Sequence, residues 1–157
     1  MQEPSRRSLI KNAAKVAVGV TGGAMLTKAA DAKTTRRLEK KAYPPSQPGK
    51  KQLFSSAVSY GNLLFLSGEG AHFKGTIQEH TQYVLNELQK TLVSAGSSME
   101  KVLKVNVYLN DLNDYDAMNK VYLGAPWGDI PPVRTTVAPA GGIPGKSLVE
   151  IDLIAYI

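Results

Sequence analysis

Two hydrophobic periods alternate along residues 52–157. Leu53 to Tyr60 and Leu63 to Ser67 read as strands, and Gly61-Asn62 between them is a hairpin signal. Gly68, Gly70 and Gly75 punctuate the exit. From Thr76 the period changes. Thr76-Ile-Gln-Glu79 fits a capping box, and Ile77, Thr81, Val84, Leu85, Leu88, Leu92 and Ala95 then step along one helix face until Gly96 closes it. Lys104 to Leu109 alternates again, with Val105, Val107 and Leu109 on one face. Asp111 to Asp114 opens a second helix in which Tyr115, Met118 and Tyr122 share a face. Two last strands, Pro131–Val137 and Val149–Ala155, are joined by a Gly141-Gly-Ile-Pro-Gly145 reversal and are expected to lie antiparallel.

The order ββαβαββ predicts an α+β fold, a mixed sheet with both helices packed on one face. In the last strand Val149, Ile151, Leu153, Ala155 and Ile157 form one stripe, and Leu148, Glu150, Asp152, Ile154 and Tyr156 the other. Both are partly apolar, so the face without helices is expected to be covered by self-association.

Charge divides the chain differently. The net +6 breaks into +3 for residues 1–32, +6 for 33–51 and −3 for 52–157. The folded body is therefore mildly acidic, and basicity is poor support for a nucleic-acid surface. Residues 33–51 read as a charged linker whose prolines, in Tyr43-Pro-Pro-Ser-Gln-Pro48, exclude regular structure. Residues 1–32 carry Ser5-Arg-Arg-Ser-Leu-Ile-Lys11, which resembles the twin-arginine export motif, then a mildly apolar stretch and Ala30-Asp31-Ala32, an A-x-A cleavage pattern. A basic tail is the plainer alternative. The expectation is a twin-arginine signal peptide, transient contact with that export machinery, and a periplasmic or otherwise exported domain over 52–157.

With no cysteine there is no disulfide, thiolate nucleophile or Cys-based metal site. The two histidines, His72 and His80, lack metal-site spacing, which favours a metal-free mechanism. Chemistry concentrates in the last two strands. Arg134 sits in one, and Glu150 and Asp152 in the other. A guanidinium fixed on a sheet is a planar fork for a carboxylate, and a nearby carboxylate can hold a water. The same residues would also suit an ordinary cross-strand salt bridge.

Four segments carry a family resemblance. Pro131-Pro-Val-Arg-Thr-Thr-Val137, the Gly/Pro loop and Val149-Glu-Ile-Asp-Leu-Ile-Ala155 resemble P-P-x-R-[ST]-x-V and V-E-I-[ED]-x-I-A. Gly61-Asn-Leu-Leu-Phe-Leu-Ser-Gly68 resembles G-N-x-[IL]-[FY]-[VT]-S-G-Q. Val105 to Tyr122 resembles V-x-V-[FY]-[LV]-x-D-[LM]-x-D-[FY]-x-x-[MV]-N-x-x-Y. In this order and spacing they resemble the reactive-intermediate deaminases, the Rid or YjgF family. The resemblance implies a chorismate-mutase-like homotrimer with ligand clefts between subunits. It implies hydrolysis of imino or enamino acids such as 2-iminobutanoate and 2-iminopropanoate to 2-keto acids and ammonia, with no cofactor and no nucleic acid.

Carried over by position, Arg134 would clamp the substrate carboxylate and Glu150 would place the attacking water. Ser67, Gly68, Asn119, Thr136 and Phe54 would complete the binding site. Plainer roles compete: Ser67 as a turn residue, Asn119 bonded to a helix neighbour, Glu150 as the partner of Arg134. Two departures stand out. Phe54 occupies a tyrosine's place without its hydroxyl, and Glu69 replaces the glutamine of S-G-Q. Losing one hydroxyl contact weakens binding by about 0.5–1.5 kcal/mol, enough to retune substrates without abolishing a carboxylate clamp. A non-catalytic ligand-binding or chaperone-like trimer is the second reading, and a ribonuclease or translation inhibitor the third.

Overall fold

The computed structural model describes residues 38–49 and 51–157; the twin-arginine motif, the apolar stretch and Ala30-Asp31-Ala32 lie outside them. Six strands and two helices follow in the order β1 (Lys40–Tyr43), β2 (Ala57–Tyr60), β3 (Leu63–Gly70), α1 (Ile77–Ser94), β4 (Val102–Leu109), α2 (Tyr115–Tyr122), β5 (Val133–Val137) and β6 (Val149–Tyr156). The strands form one mixed sheet in the spatial order β1-β2-β3-β6-β4-β5.

The capping box forms as expected. The Thr76 hydroxyl oxygen accepts the Glu79 N–H at 3.3 Å, and a Glu79 carboxylate oxygen accepts the Thr76 N–H at 2.7 Å. Those bonds to the Thr76 backbone and hydroxyl hold the Glu79 carboxyl below its usual range. The predicted face of α1 is buried, and His80 is buried with it. At the other end Gly96 takes φ +81°, the left-handed conformation that ends a helix at low cost. Helix-facing positions of the sheet, Leu64, Val105, Val107, Val149, Ile151 and Leu153, are at most 1% exposed and make the core with α1 and Met118 of α2. Trp127 is a loop anchor: its indole N–H donates to the Tyr122 carbonyl at 3.0 Å, and its ring lies against Tyr122.

Three expectations need correction. The segment 33–51 is not wholly irregular, because Lys40–Tyr43 pairs antiparallel with Ala57–Tyr60. These residues precede the prolines, lysines suit an edge strand, and the Tyr43 hydroxyl reaches the Ser59 hydroxyl at 3.3 Å. The second strand is also shorter than its apolar run, since Leu53 and Phe54 lie exposed in the loop before Ala57. Lastly, β5 and β6 do not form a hairpin. β4 lies between them, parallel to β5 and antiparallel to β6. The reason is α2, which makes β4-α2-β5 a crossover unit and so forces parallel pairing. The Gly141–Gly145 segment is the link from β5 across β4.

Register assigns the polar residues to faces. Arg134 pairs with Val105 and Thr136 with Val107, so both share the helix-covered face. Glu150 pairs with Tyr108, Asp152 with Asn106 and Ile154 with Lys104, all on the opposite face. There Val58, Tyr60, Leu63, Phe65, Ile154 and Tyr156 leave an apolar area that no described element covers; Phe65 is 39% exposed.

Candidate functional site

Arg134 projects from β5 against α2. Its guanidinium carbon lies 4.6 Å from the centroid of the Tyr122 ring and 5.8 Å from that of Tyr115, and Nη2 donates to the Tyr115 hydroxyl at 3.3 Å. Tyr115, Asn119 and Tyr122 are spaced at i, i+4 and i+7, which puts them along one side of α2. Asn119 is half-buried there and Thr136 stands two residues along β5 on the same face. The hydroxyls of Tyr122 and Thr136 are buried with no hydrogen-bond partner among the described residues. Burial pushes the Tyr122 phenol up to about 12, against the opposing pull of the Arg134 charge. A cationic fork lined by aromatic rings and unpaired hydroxyls suits a small polar anion.

The other candidates gather around β3 and the start of β6. Ser67 donates both its N–H (2.9 Å) and its hydroxyl (3.2 Å) to the Ser56 carbonyl, which ties β3 to the loop bearing Phe54. Gly68 lies directly under Glu150: a Cβ at this position would collide with the Glu150 carboxylate. A larger residue here would displace that carboxylate, so glycine leaves Glu150 its place. Beyond Glu150 on the same face, Asp152 accepts from the Asn106 amide at 2.8 Å and the Tyr108 hydroxyl at 2.9 Å, and that bond raises the Tyr108 phenol. Phe54 is exposed beside Lys40, Gln52, Ser55 and Val58.

The start of β6 is firmly held. Buried His80 bridges two loops: its Nε2–H donates to the Phe73 carbonyl at 2.9 Å while Nδ1 accepts the Leu148 N–H at 3.1 Å, an assignment in which both ring nitrogens are satisfied. Ser147, fully buried, accepts from the Ala71 N–H and donates to the Val149 carbonyl. Neither residue was singled out by sequence patterning, because each acts through polar side-chain atoms that no periodicity reports. Glu69 faces the helix side, and its carboxyl is raised first by burial, then by Glu87, with Glu150 adding and His72 opposing.

The structure therefore sorts the sequence candidates into two groups. Arg134, Thr136 and Asn119 stand on one face and Ser67, Gly68 and Glu150 on the other, with β4 between the two strands that carry Arg134 and Glu150. The cross-strand salt bridge is not formed, and among the described residues the ion pair present is Lys90–Glu87 on α1. Tyr115 and Tyr122 were legible only as one helix face; their role beside Arg134 is seen in three dimensions. Among the described residues no group of three or more His, Cys, Asp or Glu side chains could hold a metal ion, and no helix is long and apolar enough to cross a membrane.

The chain is similar in sequence and fold to known proteins. The family model described as Endoribonuclease L-PSP matches residues 45–157. Protein mmf2, mitochondrial, of Schizosaccharomyces pombe is 44% identical over 110 residues, covering 65% of this chain and 86% of that protein. The 2-iminobutanoate/2-iminopropanoate deaminase of Dermatophagoides farinae is 31% identical over 114 residues, covering 66% and 85%. A solved member of the Rid protein family from Yersinia pestis superposes with a TM-score of 0.68 at 25% identity, covering 76% of this chain and all of that one.

Proposed function

The chain belongs to the Endoribonuclease L-PSP family, which is the RidA/YjgF family, and from that premise we propose that it is a metal-free deaminase of 2-imino and 2-enamino acids. The observation that carries this reading is the separation of Arg134 from Glu150 onto opposite sheet faces. Each is supported on its own side, Arg134 by α2 and Glu150 by the glycine beneath it, and neither has the other as a partner. A copy that docks its Arg134 edge against the bare face of the next would bring the two together. A trimer closes such a head-to-tail contact into a ring and covers the apolar area on the bare face.

In that cleft Arg134 grips the substrate carboxylate through two parallel N–H donors, whatever the side chain. The enamine tautomerises to the imine, and Glu150 accepts a hydrogen bond from one water and aims it at the imine carbon. Attack gives a carbinolamine, and cleavage of its C–N bond releases ammonia and leaves the 2-keto acid. Little more than orientation and one held water is asked of the site. The similarity to the Dermatophagoides farinae deaminase supports this substrate class. Phe54, which lacks the hydroxyl common at its position, favours a second reading in which the cleft binds 2-keto acids without turnover.

The test is release of ammonia and keto acid from freshly generated imino acids by purified residues 33–157. Turnover above the spontaneous rate supports the deaminase. Saturable binding of 2-oxobutanoate with no turnover supports the second reading.

We further propose export by the twin-arginine route, supported by Arg6-Arg7 and Ala30-Asp31-Ala32. Replacing Arg6 and Arg7 by Lys is expected to leave unprocessed precursor in the cytoplasm. Undiminished delivery of that variant would count against the route.

A further inference from the structure

We infer that the Tyr115 hydroxyl is a positioning group for Arg134, holding the guanidinium in the plane from which it meets a carboxylate; the inference rests on the deaminase reading and deepens it. A guanidinium on a long side chain has many rotamers, and binding loses whatever entropy is needed to choose one. Two contacts restrict Arg134 in different ways. The Tyr122 ring, at 4.6 Å from the guanidinium carbon, supports one face of the group. The Tyr115 hydroxyl accepts from Nη2 at 3.3 Å and so opposes rotation of the group about its Nε–Cζ bond. One of the five N–H donors is engaged, leaving four for a ligand.

The motif accepts Phe or Tyr at position 115, and packing alone would be served by Phe. Tyr115 is 38% exposed, so its hydroxyl does not need Arg134 to escape desolvation. What the bond changes is the freedom of Arg134.

Tyr115→Phe keeps the ring and removes the tether. Three measurements are made on the intact protein and this variant: the rotation rate of the Arg134 guanidinium by nitrogen-15 NMR, the Kd for 2-oxobutanoate, and kcat and KM for imino acids. The expected result is faster rotation, a Kd and KM raised roughly three- to tenfold with kcat changed less than about twofold, and an unchanged melting temperature. In an Arg134→Lys background the same substitution should have no further effect on Kd, because a lysine has no plane to orient. Unchanged rotation, or an equal loss of affinity in both backgrounds, would overturn the inference. If the unsubstituted protein hydrolyses no imino acid, the deaminase reading fails, and rotation and 2-oxobutanoate affinity still judge the tether.

Discussion

At the scale of single residues, Arg134 and Glu69 make opposite kinds of statement about charge. Arg134 is a cation kept ready by neutral neighbours, with two tyrosines against it and, among the described residues, no carboxylate paired to it. Arg134→Lys retains the charge but replaces a two-point fork by a point donor. Imine hydrolysis is expected to fall about ten- to a thousandfold, or about 1.4–4 kcal/mol of transition-state stabilisation, in steady-state assays. Full activity and full 2-keto-acid affinity in that variant would remove the clamp. Glu69, by contrast, is an acid held where its charge is unwelcome, through burial and the nearby Glu87. Its folded-state pKa lies above the unfolded one, so the native state holds the extra proton. Stability should therefore decline as pH rises from the ordinary carboxylate range through the raised value. Glu69→Gln, which restores the family's usual amide, is expected to melt higher than the parent at neutral pH. The gain should vanish in acid below the ordinary carboxylate range. Thermal melts of both proteins across that range measure it, and a gain independent of pH would mean that charge is not the cause.

At the scale of elements, local signals were reliable where a local cause decides the outcome. Thr76 and Glu79 mark the start of α1 because both halves of the cap lie within four residues, and the Gly61 turn is equally local, with φ +65°. Thr76→Ala removes the hydroxyl half of that box and is expected to cost about 0.5–2 kcal/mol in denaturant unfolding. Gly is expected to cost less than Ala there, although both lack the hydroxyl. The partnership of β5 was not legible. Its apolar pattern is the same whether it pairs with β6 or β4, and the choice is made by where α2 delivers the chain. For the same reason Arg134 and Glu150, both visible in the sequence as unusual charges in strands, were legible as site candidates but not as occupants of opposite faces. β1 was hidden by the prolines that follow it, since its pairing depends on the edge that β2 presents. His80 and Ser147, which fasten the entry to β6, rest on long-range single hydrogen bonds and leave no periodic trace.

At the scale of the whole molecule, the sheet has a filled side and an open one. The filled side is one continuous core against the helices. The open side mixes the apolar area around Phe65, Ile154 and Tyr156 with the Asn106–Asp152–Tyr108 network and Glu150. Sedimentation equilibrium is expected to report about three times the monomer mass, and an aspartate at Phe65 should shift that toward monomer and remove deaminase activity together. The central claim is that one subunit supplies Arg134 and its neighbour Glu150. Its most direct measurement is complementation. Arg134→Lys and Glu150→Gln chains, each of low activity alone, are co-expressed with different tags and mixed trimers are purified. A cleft that takes the arginine from one chain and the glutamate from the next is intact wherever the Glu150→Gln chain donates the arginine. Each purified mixed trimer holds one intact cleft in three, so about a third of the unsubstituted protein's imine hydrolysis per site should return. If mixed trimers show no more activity than the average of the two parents, the cleft does not join these residues across subunits and the account is contradicted.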